Sequence, residues 1–464
     1  MVATGDVIGE RVAGPAIRAW NIAEVLTAAG HDVELVTILD CTASSDRFRV
    51  RHVGEPELRE LERWCEVLIF QGSLLQEFPF LRDSDKPLVA DIYDPFHLEL
   101  LEQARDEGER RRRDIVHNAV VVLGDQLRRG DFFLCASEKQ RDFWLGALAA
   151  LGRVNTASYD ADETLRSLLS VAPFGLDGTP PARTGPGIRG VVDGIGRDDD
   201  LILWGGGIYN WFDPLTLIRA VDELRRHRPT VRLYFMGLTH PNPRVPEMRM
   251  SIDAQKLAAE LGLTGEHVFF NTGWVPFAER ANVLLDADIG VSTHLDHAET
   301  AYSFRTRMLD YLWAGLPTVA TRGDSFAELI EAEGLGLTAP AGDVPALAAA
   351  LRRLLEDDAL ADSCRAASLR VAAGFHWPHV LAPLVRFCAD PRRAPDLLDA
   401  DLTARMAGPL RIVSRPPEGV RANAALAREY LRAGGVGLLA RKASGRLAKR
   451  LVPSASGNSG ERDR

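Results

Sequence analysis

The chain has 464 residues, 46% of them hydrophobic, and a formal net charge of −10. This length fits two or three domains with substantial cores, and the acidic balance argues against nucleic acid as a partner. No apolar run reaches the roughly 18 residues that a membrane helix needs, and we expect no secretory signal peptide. None of the five cysteines stands in a C-x-x-C pair, which favours reduced thiols in a cytoplasmic protein and argues against a zinc site.

The first part of the chain alternates short apolar runs with helical patterns. The clearest helical pattern lies at 14–30 and ends at Gly30. Alternation of this kind predicts a parallel β-sheet with helices on both faces. Only four residues precede the loop at 5–14, so the first strand is either short or begins upstream of Met1. The other expected strands lie at 32–38, 50–53, 66–72, 87–94 and 132–137.

The second part repeats the scheme after a stretch rich in Gly and Pro at 172–190, which marks a linker. The pattern predicts a second doubly wound α/β domain that faces the first across a cleft. We therefore predict an N-terminal domain at 1–175, a second domain at 176–388 and a basic, partly helical extension at 389–464. The expected strands of the second domain lie at 201–207, 231–237, 267–275, 288–293 and 316–321, with helices near 213–228, 251–262, 277–287, 305–314 and 324–333.

The C-terminal extension differs in charge from the rest of the chain. Residues 391–464 contain 15 Lys and Arg against 7 Asp and Glu. Basic residues alternate with leucines within 425–451, which predicts an amphipathic helix that binds an anionic membrane surface. A solvated tail, or one that docks on the acidic body, is the alternative.

Glycines follow the strands of the second domain, at the strand ends where open α/β sheets bind ligands. The first three of them would let a ligand approach the backbone, although a tight turn without a ligand explains them as well. Their run is not G-x-G-x-x-G, which gives a nicotinamide cofactor little support. Trp274 would flank a nucleobase or pack on the domain edge. The candidates are Gly205, Gly206, Gly207, Gly237, Gly273, Trp274 and Val275.

The helix predicted at 304–314 carries an unusual pattern of charge. Arg305 and Arg307 stand at its start, where amides capped by Ser303 or a neighbour attract anions and guanidinium groups match phosphate oxygens. Asp310 lies one turn further along and can accept hydrogen bonds from two vicinal hydroxyls. These residues predict a site for a diphosphate and a sugar ring. The alternatives are an ion pair of Arg307 with Asp310 and a solvated Arg305.

The stretch MLDYLWAGLPTVAT (308–321) resembles the C-terminal motif of GT-B glycosyltransferases of family 4. Three further stretches are similar to motifs of that family, so the resemblance covers roughly residues 1–388. It implies the GT-B fold and the transfer of a hexose from a nucleotide sugar, with retention of configuration, no cofactor and no essential metal. The three stretches are AGPAIRAWNIAEVLTAAGHDVELVT (13–37), VAPFGLD (171–177) and NTGWVPFAERANVLLDADIGVSTHLD (271–296).

The resemblance also implies roles on the donor side. The family has two glutamates eight residues apart, of which the second binds the ribose and corresponds here to Asp310. The first touches the donor sugar and corresponds to Tyr302, so Glu299 would take its role unless it is an exposed loop charge. The family's Arg and Lys after the first strand of the nucleotide domain are missing here. The diphosphate is therefore left to Arg305 and Arg307.

On the acceptor side, the family often has His-Asp at the end of the strand that corresponds to 87–94. Tyr93 takes the place of that histidine, whereas Asp94 is kept. His97 would supply the imidazole, or it is a structural histidine. Gly14 would let the first loop approach the reacting centre.

Together with the basic extension, the resemblance implies a lipid-linked or envelope-glycan acceptor. It implies a cytoplasmic protein that also binds peripherally at the inner face of the plasma membrane. Two other interpretations stay open, namely a non-catalytic nucleotide-sugar-binding relative and a GT-B-like nucleotide-sugar epimerase.

Overall fold

The computed structural model describes residues 1–9, 12–238, 248–273, 275–399, 401, 424, 427–432, 435–438 and 440–441. The chain divides into two compact units, Met1–Thr403 and Ala404–Arg464. The described stretches of the second unit are helical, and their side chains are exposed or half-buried. Nowhere in the described ranges is a helix both long and apolar enough to cross a bilayer.

In the described part of the chain, seven parallel strands form the first sheet: β1 (Val2–Thr4), β2 (Glu34–Thr37), β3 (Arg49–His52), β4 (Leu68–Phe70), β5 (Leu88–Asp91), β6 (Phe132–Cys135) and β7 (Leu169–Val171). Their order is β3-β2-β1-β4-β5-β6-β7, so the chain winds outward from β1 in both directions. β1 is short, yet it pairs with both β2 and β4 inside the sheet.

Helices cover both faces of this sheet, as its apolar strands require. Ser137 caps the helix that follows β6, since its side chain accepts a hydrogen bond from the amide of Gln140. The helices are α1 (Gly14–Ala28), α2 (Glu55–Trp64), α3 (Leu74–Glu77), α4 (Phe96–Gln103), α5 (Glu109–Arg129), α6 (Glu138–Ala150) and α7 (Thr156–Ala161), with 3-10 turns at Pro79–Asp83 and Ala104–Asp106.

Six parallel strands form the second sheet within the residues described: β8 (Asp200–Trp204), β9 (Val231–Phe235), β10 (Val268–Phe270), β11 (Ile289–Ser292), β12 (Thr318–Thr321) and β13 (Gly336–Ala339). Their order, β10-β9-β8-β11-β12-β13, repeats the outward winding. The doubly wound α/β architecture predicted from the sequence is confirmed.

Several of the helices that follow β8 in the chain begin at an aspartate that caps them. Asp213, Asp324 and Asp343 each accept a hydrogen bond from an amide in the first turn of the helix that follows. The helices are α8 (Pro214–Leu224), α9 (Arg249–Glu260), α10 (Arg280–Leu284), α11 (Ala298–Tyr302), α12 (Arg307–Ala314), α13 (Ser325–Glu333), α14 (Val344–Glu356), α15 (Asp358–Ala372), α16 (Trp377–Val380), α17 (Ala382–Ala389) and α18 (Pro395–Leu398), with 3-10 turns at Phe277–Glu279 and Ala373–Phe375.

The helix predicted at 304–314 differs from the observed one. α12 begins at Arg307, and the preceding residues split into the short helix α11 and a loop that holds Arg305. Ser303 does not cap α12, because its hydroxyl donates to the carbonyl oxygen of Thr300 at 3.4 Å. Thr306 stands at the start of α12, and its side chain makes no capping bond.

After the second sheet, the chain returns to the first. The ring of Phe387 in α17 stacks on Phe132 of β6 with 4.7 Å between centroids. Near α18, the carboxylate of Asp396 pairs with Arg153, and both side chains are buried. Arg153 also donates to the carbonyl oxygens of Leu127 and Gly130, at 2.6 and 2.9 Å. Helices α17 and α18 thus pack against the domain of the first sheet, while the predicted boundaries at 175 and 388 stay predictions.

The Arg153–Asp396 pair gives a stability prediction. Asp396→Ala would leave a buried guanidinium without its carboxylate, which typically costs about 3–5 kcal/mol. We expect a clear fall in the urea midpoint for unfolding, followed by tryptophan fluorescence. Asp362→Ala is the control, because it removes an exposed pair with Arg365 and should cost less than about 1 kcal/mol. Equal effects of the two substitutions would contradict the buried role of Asp396.

Candidate functional site

A cleft of about 650 Å³ lies where the carboxyl ends of the two sheets face each other. Parallel sheets bind ligands at this edge because the loops that follow the strands converge there. The first sheet contributes residues such as Thr4, Gln71 and Asp94, and the second contributes Gly205 and Asp310. The predicted site residues that line it are Gly14, Asp94, Gly205, Gly206, Gly207, Gly237, Val275, Arg305, Arg307 and Asp310.

The glycine turn after β8 rests on a buried tyrosine. The amide of Gly205 donates to the hydroxyl of Tyr311 at 2.7 Å, and that hydroxyl is 3.1 Å from the carbonyl oxygen of Leu203 and 2.8 Å from that of Val291. A Cβ at position 205 would approach the Tyr311 ring to 3.1 Å, and Gly206 has φ of +93°. The turn therefore needs glycine for its packing as well as for access from the cleft.

Arg307 is a buried cation without a carboxylate partner among the described residues. One terminal nitrogen donates to the carbonyl oxygen of Gly207 at 2.8 Å, and the other has no hydrogen-bond partner there. The guanidinium lies over the rings of Trp204 and Phe212, 4.6 and 4.0 Å from their centroids. Burial lowers the pKa of Arg307 to about 10. This wall of the cleft therefore carries positive charge that an anion can neutralise.

Arg305 is occupied, in contrast to Arg307. Two of its nitrogens donate to the two carboxylate oxygens of Glu299, both at 2.7 Å. Burial alone would lower the pKa of Arg305, but Glu299 outweighs it and raises the pKa. Arg305 is 4% exposed, so the alternative of a solvated side chain is wrong. A diphosphate would have to share this guanidinium with Glu299.

Glu299 and Tyr302 stand behind the cleft and are not part of its described lining. Glu299 is 2% exposed and reaches the cleft only through Arg305. The ring of Tyr302 packs on Phe143 of α6, with 4.6 Å between centroids. The position at which the family has its first glutamate is therefore used here for packing between the two sheet domains.

Asp310 lines the cleft and pairs with Arg280 at 3.1 Å, which replaces the alternative pair with Arg307. Arg280 also donates to the carbonyl oxygen of Phe277 at 2.8 Å and stacks on the Phe277 and Trp313 rings. Burial raises the pKa of Asp310, while Arg280 opposes the rise. Sequence reasoning missed Arg280 because it lies 30 positions before Asp310 and no local spacing links the two.

Four carboxylates line the cleft on the side of the first sheet, namely Asp6, Asp91, Asp94 and Glu99, and the last two have raised pKa values. Burial, together with Glu299, raises the pKa of Asp94 to about 7, while Arg305 lowers it. Burial and the neighbouring Asp94 raise the pKa of Glu99 well above its usual value. Sequence reasoning missed Glu99, although the helical spacing of Phe96, Glu99 and Gln103 would have placed it on the face of α4 that lines the cleft.

His97 is not in the cleft, so the prediction that it supplies an imidazole there is wrong. It lies on another face of α4, where its ring is 5.8 Å from that of Phe143 and 5.9 Å from that of Trp144. Burial lowers its pKa to about 4. The packing on these rings fits a structural histidine, but Nδ1 of His97 has no hydrogen-bond partner among the described residues, so the alternative of a hydrogen-bonded one is not met there.

The remaining predicted residues divide between the cleft and its surroundings. Gly14 begins α1, and a Cβ there would be 3.8 Å from the Tyr93 hydroxyl. Gly237 and Val275 line the cleft, whereas Gly273 is exposed and outside the described lining. Trp274 lies outside the described residues, so its role beside a nucleobase stays a prediction.

Two facing doubly wound domains with a ligand cleft between their strand ends define the GT-B fold. Residues 199–357 match the family described as Glycosyl transferases group 1. This match supports the resemblance to GT-B glycosyltransferases drawn from the sequence, whereas the assignment to family 4 stays a prediction.

Two curated relatives share part of the sequence. A phosphatidyl-myo-inositol mannosyltransferase of Mycobacterium leprae is 30% identical over 134 residues, which are 29% of this chain and 34% of that protein. A protein of the same name from Mycolicibacterium smegmatis is 28% identical over 200 residues, 42% and 46% of the two chains. The chain thus spans between about a third and half of the length of the curated relatives that it matches.

Solved structures share the fold over most of the chain. Sucrose-phosphate synthase from Thermosynechococcus elongatus has a TM-score of 0.58 at 19% identity, covering 84% of this chain and 98% of that one. WaaG, a glycosyltransferase involved in lipopolysaccharide biosynthesis, also has a TM-score of 0.58, at 16% identity, covering 83% and 99%. Anabaena HepE in complex with UDP-glucose has a TM-score of 0.54 at 12% identity, covering 84% and 99%.

The support of the glycine turn by Tyr311 can be tested directly. Tyr311→Phe would leave the buried Gly205 amide without its acceptor, which typically costs about 1–3 kcal/mol. We expect a lower free energy of unfolding and faster hydrogen exchange at the Gly205 amide. Tyr159→Phe is the matched control because Tyr159 is 48% exposed. Unchanged exchange at Gly205 in Tyr311→Phe would contradict the support.

Proposed function

We propose that the chain is a glycosyltransferase that moves a hexose from a nucleotide sugar to a lipid-linked or envelope-glycan acceptor. We further propose retention of configuration and no essential metal. The observation that carries the proposal is Arg307, a buried cation in the cleft that no carboxylate of the described residues neutralises. A group 1 glycosyltransferase domain contains it.

The charge of Arg307 suits the leaving group of such a reaction. Burying an unpaired charge is costly, and a bound diphosphate would offset that cost. As the bond to the sugar breaks, the diphosphate gains negative charge, so a cation fixed beside it lowers the barrier. The turn at 205–207 lets the diphosphate approach the backbone next to Arg307.

Asp310 and the Glu299–Arg305 pair would hold the rest of the donor. Asp310 lines the cleft on the same helix as Arg307 and would accept hydrogen bonds from the ribose. Glu299 would act as a positioning residue, because both of its oxygens fix Arg305 at the cleft wall. Two proteins of similar structure are bound to UDP-glucose and to UDP-2-fluoro glucose, which supports a nucleotide-sugar donor.

The acceptor proposal depends on the basic extension and on the relatives. Two relatives are named as phosphatidyl-myo-inositol mannosyltransferases, which favours a hexose donor and a lipid acceptor. Within 425–451, the described residues Arg428, Leu431, Arg432 and Val436 are exposed, which suits contact with an anionic surface. The rest of that segment lies largely outside the described residues. Such contact would place the protein peripherally at a membrane.

Nucleotide binding tests the donor site. UDP, GDP, ADP and dTDP should be screened by thermal stabilisation, because a ligand at 100 times its dissociation constant adds about 2.7 kcal/mol. Asp310→Ala and Arg307→Met should each weaken the binding of the stabilising nucleotide by about 1.5–3 kcal/mol, which is the usual contribution of a hydrogen bond to a charged group. Isothermal titration calorimetry would measure the loss.

Arg365→Met is the matched control, since it removes an exposed arginine that is not part of the cleft lining. Unchanged affinity in Arg307→Met and Asp310→Ala would refute the proposed donor site. Slow hydrolysis of the nucleotide sugar, unaffected by EDTA, is expected of a metal-independent transferase. Donor binding without any hydrolysis would favour the non-catalytic relative instead.

Vesicle partition tests the membrane proposal. Deletion of residues 425–464 should abolish sedimentation with vesicles that contain anionic lipid, because it removes the basic segment. Nucleotide binding by the truncated chain should be unchanged, which serves as the folding control. If the truncated chain sedimented as well as the full chain, the extension would not be the membrane anchor.

A further inference from the structure

The part of the cleft that faces the first sheet is lined by oxygen atoms that lack partners. Thr4 ends β1 and Gln71 follows β4, and these neighbouring strands bring the two side chains together. Thr4 is 1% exposed and Gln71 is 7% exposed. The Thr4 hydroxyl oxygen and the Gln71 amide oxygen have no hydrogen-bond partner among the described residues.

The orientation of the Gln71 amide is fixed by Asp91. The amide nitrogen of Gln71 donates to Asp91 at 2.8 Å, so its oxygen is the atom left over. Asp91 itself pairs with Arg18, at 2.6 and 2.8 Å, and both side chains are buried. Asp91 therefore needs no further cation. Of the two unpartnered atoms beside it, the Gln71 amide oxygen only accepts hydrogen bonds, whereas the Thr4 hydroxyl can accept or donate.

Asp94 and Glu99 add two carboxylates to the same side of the cleft. In the part of the chain that the structure describes, neither forms an ion pair with a basic residue. The arginine whose charge opposes both is Arg305, and its charge is already balanced by Glu299. Burial raises the pKa of each carboxyl, and the neighbouring carboxylates add to the rise.

The arginines among the described lining residues all belong to the opposite side. Arg280, Arg305 and Arg307 come from the domain of the second sheet. A phosphate group carries negative charge and would keep Asp94 and Glu99 protonated, whereas a bound cation would favour the ionised form of both carboxyls. An ammonium group offers three donors and no acceptor, which matches a set of unpartnered oxygens better than a hydroxyl does.

We propose that this part of the cleft is an acceptor subsite for an amine-bearing sugar or cyclitol, with Asp94 and Glu99 binding its ammonium group and Thr4 and Gln71 binding adjacent donors. The inference rests on the proposed function, because it names the substrate class of the same enzyme. Any phosphate of a lipid-linked acceptor would then lie outside this subsite.

The experiment uses the full chain and the nucleotide sugar whose base stabilises it. A pool of acceptors would hold matched sets that differ at one position: a hexose, its amino-hexose and its hexose phosphate, together with inositol and an aminocyclitol. Transfer would be followed by mass spectrometry, and KM would be measured for each acceptor used. We expect KM to be at least about tenfold lower for the amine-bearing member of a set.

The variants identify the groups that recognise the amine. Glu99→Gln and Asp94→Asn should each reduce the preference for the amine-bearing acceptor. In the double variant, the KM of that acceptor should be within about twofold of the KM of the matched hexose. Asp142→Asn is the control, because Asp142 is an exposed carboxylate of α6 outside the cleft lining. Its preference should equal that of the unaltered chain. An undiminished preference in a folded double variant would overturn the assignment.

The outcomes separate this inference from the proposed function. Preference for the hexose or for the hexose phosphate would overturn the amine subsite, and so would donor hydrolysis without transfer to any amine-bearing acceptor. In each of these cases nucleotide binding and hydrolysis would still support the transferase. If no nucleotide binds, the proposed function itself fails.

Discussion

Arg307 is a buried positive charge that the described part of the chain leaves without a carboxylate, and the arrangement of the donor side depends on it. Two aromatic rings and the carbonyl oxygen of Gly207 hold the guanidinium in place. These contacts orient a cation but leave its charge unbalanced. The fold tolerates this cost at an edge where two sheets meet and a ligand enters. An anion that binds there restores the balance and is thereby selected by charge.

The neighbouring arginines differ from Arg307 because each of them pairs with a carboxylate. Glu299 takes up Arg305 through two hydrogen bonds, and Asp310 takes up Arg280 through one. Both pairs are close to neutral, so they shape the wall of the cleft more than they charge it. Arg307 differs, because its one hydrogen-bond acceptor among the described residues is the carbonyl oxygen of Gly207. Three arginines in one cleft therefore do not amount to three equivalent phosphate ligands.

The sequence predicted what depends on local periodicity and missed what depends on long-range contacts. The alternation of apolar runs and helical patterns was enough to predict both parallel sheets, because buried strands and amphipathic helices each have a recognisable hydrophobic pattern in the sequence. The placement of Asp94, Arg307 and Asp310 at the cleft followed from strand-end logic. Strand-end logic failed for His97, because a residue three positions beyond Asp94 already lies on a helix whose other face lines the cleft.

Contacts across the chain decided the rest of the site. Arg280 pairs with Asp310, which is 30 residues away in the sequence, and no local spacing predicts such a pair. Glu99 shares a helix face with Phe96 and Gln103, and this spacing is visible in the sequence. It does not indicate a functional carboxylate until the fold places Asp94 beside Glu99. The later start of α12, at Arg307 instead of the predicted position 304, has a similar origin. The chain before Arg307 is held by the Arg305–Glu299 pair, which favours a loop over one continuous helix.

The charge of the cleft is divided between the two sheets, and the contact between their domains brings the two signs together. Gln140, which is fully buried, donates to the carbonyl oxygens of Tyr93 and Tyr302 at 2.9 and 2.8 Å. Tyr93 precedes Asp94 on the acidic side, and Tyr302 ends the helix that carries Glu299 on the basic side. One side chain therefore fixes both walls at once. A substrate pair with opposite charges would enter this divided cleft in one orientation, because reversing it would set like charges against each other on both sides.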